Sequence, residues 1–388
     1  MSARRIRLLY VVGNFVTGGA ERHLLEMWRR LDRTRFDVRI ACLKREGAFT
    51  PLVEALGLPV TDLRVGRRLY DPAGIAGFLR LVSLVREFRP DVIHGYLFGP
   101  NLFAAAAGRM CGVPVVAVAK RNVDAFETPR QIAVQRRAHA LATHVTAVSE
   151  EVAASSMALG VPRERITVIA NGVDLARFPG HDADAAAAAA LGLPAGRPLL
   201  GAVGCLAPRK DYGTLLRALA ILAGEGRAFA CAIVGDGPDR EPMTALAREL
   251  GLADRVAFLG ERGDVDALLP AFDVFTLSSR EEGIPNALLE AMAAARPCVV
   301  TRVGGNAEVL DDGRTGWLVP AENPAALAAA LAQVLDDPAE ARRRGAAARE
   351  AMRTERSIEA MVRRHEAFYE RALGLPAGPH EREPGARA

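Results

Sequence analysis

Ser278-Ser279-Arg280-Glu281-Glu282-Gly283-Ile284-Pro285-Asn286-Ala287-Leu288-Leu289-Glu290-Ala291-Met292 decides how the rest of the chain is read. Val274 to Leu277, just before it, is a short apolar run of strand type. Gly283 and Pro285 interrupt regular structure, and Asn286 followed by Ala-Leu-Leu-Glu-Ala-Met reads as a capped helix start made of strong helix formers. The stretch is therefore a strand, a turn and a helix. Backbone N–H groups at such a helix N-terminus lack intrahelical partners and carry the positive end of the dipole, so the turn Gly283, Ile284, Pro285, Asn286 suits a phosphate or polar hydroxyls. Glu290 stands one turn in, on the face of Asn286, where a carboxylate can accept two hydrogen bonds from a vicinal diol such as a ribose. Glu282, on the loop, reaches what lies beyond the phosphates, so two acids bracket one ligand.

Glu282 and Glu290 within E-G-I-P-N-A-L-L-E-A-M resemble the E-x7-E signature of the retaining, GT-B-fold glycosyltransferases of family 4, also called group 1. The resemblance runs from Gly13 to about Tyr369 through several motifs in the family's order. It implies an α/β chain of two Rossmann-like, doubly wound parallel-sheet domains with a central cleft.

The bulk properties agree. A chain of 388 residues exceeds what one hydrophobic core usually supports, and half of its residues are apolar, enough for two cores. Five cysteines, Cys42, Cys111, Cys205, Cys231 and Cys298, stand singly with no C-x-x-C spacing, which argues against a zinc site or a disulfide framework and for a reducing compartment. The N-terminal apolar run before Asn14 is too short for a signal sequence or a membrane span, so the expectation is a cytoplasmic protein. Net charge is +4 but uneven: residues 1–178 hold 26 Lys/Arg against 16 Asp/Glu, and the remainder 24 against 30. Arginines cluster as Arg29, Arg30, Arg33 and Arg35, as Arg64, Arg67 and Arg68, and as Arg130, Arg136 and Arg137. They read equally as a solvated surface or as attraction to an anionic membrane or acceptor. Few aromatics interleave with them and no nucleic-acid module is visible, so no nucleic-acid partner is expected.

In chain order, the strand Ile6 to Val12 leads into Gly13-Asn14-Phe15-Val16-Thr17-Gly18-Gly19-Ala20-Glu21 and a helix from Arg22 to Leu31. Gly13 and Gly18 are too far apart for the dinucleotide fingerprint. Gly18 and Gly19 resemble the family's glycine loop, where backbone approaches the donor phosphate, and equally suit a tight turn needing positive φ. Strand-like runs then alternate with helical segments: Phe36 to Cys42, Val60 to Leu63, Val92 to His94, Val115 to Val118, His144 to Ala147 and Ile166 to Ile169. His94, in Asp91-Val92-Ile93-His94, falls at a strand end and is either a ligand-binding or a structural histidine. Many family members carry a histidine after the next strand that touches the transferred sugar. Here Lys120 and Arg121 stand nearest, facing an anionic sugar, a phosphate or Asp124. Asn171-Gly172-Val173-Asp174 resembles the segment that closes the first domain. The domains expected are 1–178, an alanine-rich connection at 179–198, and 199–356, with a helix at about 357–373 returning to the first domain and a polar tail at 375–388.

The second half repeats the alternation: Leu199 to Val203, Phe229 to Val234, Val256 to Leu259, Val274 to Leu277, Cys298 to Thr301 and Trp317 to Val319. Gly204-Cys205-Leu206-Ala207-Pro208-Arg209-Lys210-Asp211 resembles the family's phosphate-binding loop. Lys210 matches its lysine, Cys205 replaces its usual arginine, and Arg209 stands close enough in sequence to supply that charge. Gly304-Gly305 reads as a structural loop. Asp182-Ala183-Asp184 and Asp264-Val265-Asp266 spell D-x-D but lie in the connection and at a helix start, so no metal site is assigned.

The resemblance implies transfer of a sugar from a nucleoside diphosphate sugar to an acceptor hydroxyl, in polysaccharide or glycolipid synthesis, with no cofactor. Lys210, Arg209 and Glu282 form the catalytic set; Gly18, Gly19, His94, Gly283, Ile284, Pro285, Asn286 and Glu290 bind substrate. The expected partners are the donor and an acceptor glycan, which an anionic membrane would present on a lipid. A nucleotide-sugar epimerase and a non-catalytic sugar-binding protein are the alternatives.

Overall fold

Runs of β-branched and aliphatic residues bounded by glycine and polar turns become buried parallel strands. In the computed structural model, which describes residues 4–16, 18–66, 68–123, 127–178, 191 and 196–376, they build two units. The first comprises residues up to Asn171 together with those from Ile358 onward; the second is Gly172–Ser357.

The first unit holds β1 (Ile6–Val12), β2 (Phe36–Cys42), β3 (Val60–Asp62), β4 (Val92–Tyr96), β5 (Val115–Lys120), β6 (His144–Ala147) and β7 (Ile166–Val168), in the order β3-β2-β1-β4-β5-β6-β7. The second holds β8 (Leu199–Val203), β9 (Ala230–Val234), β10 (Val256–Gly260), β11 (Val274–Leu277), β12 (Cys298–Thr301) and β13 (Trp317–Val319), in the order β10-β9-β8-β11-β12-β13. Each sheet is parallel throughout and reverses its strand order beside its first strand, so each has a switch point at the carboxyl ends of β1 and β4, or of β8 and β11. Period-two alternation fills both faces of the first sheet: Leu8, Tyr10 and Val12 enter one core, Leu9 and Val11 the other. Leu200, Ala202, Cys231, Ile233, Val274 and Val299 centre a core of the second unit.

The helix Ile358–Ala372 completes the first unit by packing Met361, Val362, Phe368 and Tyr369 into its core. Buried hydroxyls and imidazoles pin it there. The Tyr369 hydroxyl lies 2.8 Å from that of Tyr10 and 2.9 Å from His94 Nδ1, and the Tyr96 hydroxyl lies 3.3 Å from His365 Nε2. Burial raises both Tyr10 and Tyr369 well above the usual phenol range and keeps His94 far below the usual imidazole value.

Three expectations shift. The strand at Val92 continues to Tyr96, because Gly95 and Tyr96 pair with Val118 and Ala119, so His94 lies inside β4 and not at its end. The boundary moves from Phe178 to Asn171. Val173 N–H donates to the Arg356 carbonyl at 2.9 Å and bridges to Ser357, and the Phe178 carbonyl accepts from Arg349, which ties Gly172–Phe178 to the second unit. The helix after the first glycine loop starts at Gly19, and Gly18 caps it with extended backbone at φ −152°, not in a left-handed turn. Almost all of the 179–198 connection, including Asp182 and Asp184, most of the tail, Thr17, Arg67 and Asp124 lie outside the described residues.

Candidate active site

At the carboxyl end of β8 the chain passes through Gly204 and Cys205 into a single 3-10 turn, Pro208–Lys210, closed by Asp211 in the left-handed region at φ 46°. Asp211 then caps the following helix by accepting from Thr214 N–H. Next to it, beyond β11, lies Ser278–Pro285. The two loops are stitched together: Arg280 N–H donates to the Arg209 carbonyl at 2.8 Å, and Ser278 Oγ donates to the Lys210 and Asp211 carbonyls at 3.1 and 2.9 Å. A third loop backs them. Thr301 Oγ1 donates to the Ser279 carbonyl at 2.7 Å, and Gly305 N–H donates to the Gly283 carbonyl at 2.7 Å. Gly304, at φ 53°, approaches so closely that a Cβ would overlap the Glu282 carbonyl. Gly304-Gly305 is thus the wall behind Glu282, which a reading from sequence took only as a loop.

Lys210, Arg209 and Glu282 converge on this frame. Lys210 and Glu282 are both buried and pair directly through Nζ and Oε1. Ser279 Oγ donates to the same Oε1 at 2.7 Å, and Arg209 Nη1 lies 3.7 Å from Oε2. A buried carboxylate is tolerated only with such partners. The Tyr212 hydroxyl, 3.0 Å from the Gly204 carbonyl, borders the cluster; burial first, and the Glu282 charge second, push it far above its ordinary range. Cys205 is exposed on the same loop.

The helix begins at Asn286 and runs to Ala293, with Pro285 and not Asn286 at the N-cap and no side-chain cap hydrogen bond. Proline has no side-chain acceptor, so no side chain caps the first turn from that position, while Leu288 N–H donates to the Pro285 carbonyl at 3.1 Å. Glu290, partly buried one turn along, faces Arg177, whose Nη1 lies 3.9 Å from its Oε1 and whose Nη2 lies 3.2 Å from Asp266 Oδ2. Arg177 was missed from sequence because nothing local marks an arginine so far along the chain as a partner of this helix. Asp264 forks onto Arg262 at 2.8 and 2.6 Å, so both acids of that D-x-D are held by arginines.

The remaining sequence-derived residues belong to the first unit. Gly18 and Gly19 open its first helix. His94 is buried with both nitrogens occupied, Nδ1 by Tyr369 and Nε2 by Thr146 Oγ1 at 3.2 Å, the arrangement of a structural histidine. Lys120 is buried at the end of β5 and donates to Gln135 Oε1 at 3.0 Å.

Residues 17–177 match the family described as Glycosyltransferase Family 4, and residues 184–351 that described as Glycosyl transferases group 1. A 2-deoxystreptamine glucosyltransferase of Streptomyces kanamyceticus is 32% identical over 318 residues, covering 77% of this chain and 82% of the relative. The chain belongs to the group 1 glycosyltransferases. A second relative, the UDP-Gal:alpha-D-GlcNAc-diphosphoundecaprenol alpha-1,3-galactosyltransferase of Escherichia coli, is 26% identical over 86% of this glycosyltransferase and 89% of its own length. The crystal structure of Anabaena HepE in complex with UDP-glucose superposes with a TM-score of 0.80 at 22% identity, covering 94% of this glycosyltransferase and 99% of HepE. The fold is GT-B, and the protein is an enzyme of glycan synthesis. No helix among its described residues is long and apolar enough to cross a membrane.

Proposed function

We propose that this glycosyltransferase moves a hexose, with retention at the anomeric carbon, from a nucleoside diphosphate sugar to a hydroxyl of a lipid-carried acceptor glycan. The observation that carries the reading is the convergence of Lys210 and Arg209 on Glu282 beside the uncapped start of the Asn286–Ala293 helix. Cleaving the anomeric bond builds oxocarbenium character on the sugar and negative charge on the departing diphosphate. Two cations and a set of helix-terminal amides, fixed in place before the reaction, oppose that charge without reorganisation. Glu282 holds Lys210 in position and supports the sugar, while Glu290, steadied by Arg177, takes the ribose hydroxyls. Gly283, Ile284, Pro285 and Asn286 carry the phosphate contacts. Gly18 and Gly19 keep the phosphate-approaching role that the family resemblance gives them, and His94 acts through packing. No residue is assigned as a nucleophile. The names of HepE's complex and of the E. coli relative support a nucleotide-sugar donor and an acceptor carried on a lipid diphosphate.

The test is a thermal-shift screen of UDP-, GDP- and ADP-sugars, followed by transfer assays with the stabilising donor. Release of the nucleoside diphosphate should require acceptor, leave the product α-linked from an α-donor, and proceed equally with EDTA. Appearance of an epimerised sugar nucleotide without acceptor would assign the site to the epimerase alternative.

A further inference from the structure

The excess of positive charge in the first part of the chain has a location in the fold. The helix Pro72–Phe88 is capped by Asp71 and turns Gly74, Gly77, Leu81, Val82, Leu84, Val85 and Phe88 inward. On its outer face it carries Ile75 and Leu79, one turn apart and 56% and 61% exposed. The loop leading into it ends in Tyr70, at 75% exposure the most open large apolar side chain among the described residues. Burying three such groups is favourable, so leaving them in water needs a reason.

Arginines surround this apolar ridge. The Arg68 guanidinium lies 5.9 Å from the Tyr70 ring centroid. Arg64 and Arg68 on the loop and Arg86 on the helix are exposed, and none makes an ion pair among the described residues. Arg86 falls on the same helical stripe as Ile75 and Leu79 at 100° per residue. Arg80 donates to the Leu63 carbonyl at 2.5 Å and so fastens the helix to the loop. The neighbouring acids are engaged. Asp62 accepts from Arg64 N–H at 2.8 Å, Asp71 from Gly74 N–H at 2.7 Å, and Glu87 from Arg39 at 3.3 Å.

We infer that Tyr70, Ile75 and Leu79 form a wedge by which the first unit docks on an anionic lipid bilayer, with Arg64, Arg68 and Arg86 at the headgroups. The pattern fits a bilayer better than a protein. An apolar helix face rimmed by unpaired cations, with an aromatic at its end, matches an interface whose interior is hydrocarbon and whose surface is negative. This names the surface through which the lipid-carried acceptor of the proposed reaction would be reached, and it rests on that reading only for its purpose.

The experiment is co-sedimentation of the full chain with vesicles of phosphatidylglycerol and phosphatidylcholine, or of phosphatidylcholine alone, with no sugar nucleotide present. Wild type should pellet with the mixed vesicles, weakly with phosphatidylcholine, and less as salt rises. Ile75→Asp/Leu79→Asp should bind the mixed vesicles about tenfold or more weakly, the scale of two apolar side chains left in water. Ile221→Asp, at an exposed apolar site of the second unit, should bind like wild type. Equal melting temperatures would show that the substitutions leave the fold intact. No binding to mixed vesicles by wild type, or undiminished binding by the double variant, would overturn the inference. So would a wild-type dimer in size exclusion that the double variant dissolves, which would give the wedge to a second copy. Because no donor is present, failure of the transferase reading leaves this result untouched, and the converse holds.

Discussion

Lys210 and Glu282 show how burial changes what a substitution means. From sequence alone, replacing Lys210 should cost turnover and little stability. Inside the protein the ammonium is the main partner of a buried carboxylate, so its removal leaves Glu282, among the described residues, with Ser279 and the more distant Arg209. Lys210→Met is therefore expected to lose about 3 kcal/mol of stability, as when one partner of a buried pair is removed. Loss of a fixed charge opposing the diphosphate is expected to cost turnover about 2 kcal/mol or more. Lys210→Met/Glu282→Gln separates the two effects. The neutral pair should recover most of the melting temperature while turnover stays low. If turnover returned along with stability, Lys210 would be only a structural cation.

The element that carries the most unusual chemistry is the helix Ile358–Ala372. His365 on it is buried against Tyr96, Met361 and the ring of His23, with the Arg121 charge nearby. Burial, partly opposed by the hydrogen bond to the Met361 carbonyl and assisted by Arg121, pushes its pKa down to about 4. A free histidine titrates near 6.5, so between about pH 6.5 and 4 the unfolded chain takes up a proton that the folded chain refuses. Stability present above that window is lost as pH falls through it, by about 3 kcal/mol for this one residue. Wild type should accordingly melt at progressively lower temperature from about pH 7 to 4.5, and His365→Asn should show a shallower slope; equal slopes would remove His365 as the cause. Strands were legible because short apolar runs rich in β-branched residues and bounded by polar or proline positions leave little alternative, as at Val274–Leu277 between Asp273 and Ser278 and at Cys298–Thr301 between Pro297 and Arg302. Chain breaks were less so. Gly95 looked like a strand end, yet it continues β4 by pairing with Val118, and only glycine fits there because a Cβ would meet Pro100 and Asn101 backbone. The candidate-site loops could be found because glycine and proline mark them. Arg177 and Gly304, which bear on Glu290 and Glu282, could not, since those contacts come from segments remote in sequence, whereas Ser279 lies only three residues from the Glu282 it donates to.

For the whole molecule, the division of the chain predicts unequal independence. Gly172–Ser357 contains a complete sheet and core, whereas residues before Asn171 lack Met361, Val362, Phe368 and Tyr369. Expressed alone, residues 172–357 should melt cooperatively and bind nucleoside diphosphate. Residues 1–171 should melt cooperatively only when a peptide spanning 358–376 is added. A cooperative melt of 1–171 without the peptide would mean that the terminal helix is an accessory. The same connectivity governs how the protein is made. A ribosome adds roughly 5–20 residues per second. It therefore needs on the order of 10–40 s to pass from Gly172 to Ser357. Throughout that interval the nascent amino-terminal strands wait with the seat for Phe368 and Tyr369 open, whereas the later-made module has its whole chain once Ser357 is added, before the helix that completes the first unit exists, so this polypeptide acquires the full chain of its second half before that of its first.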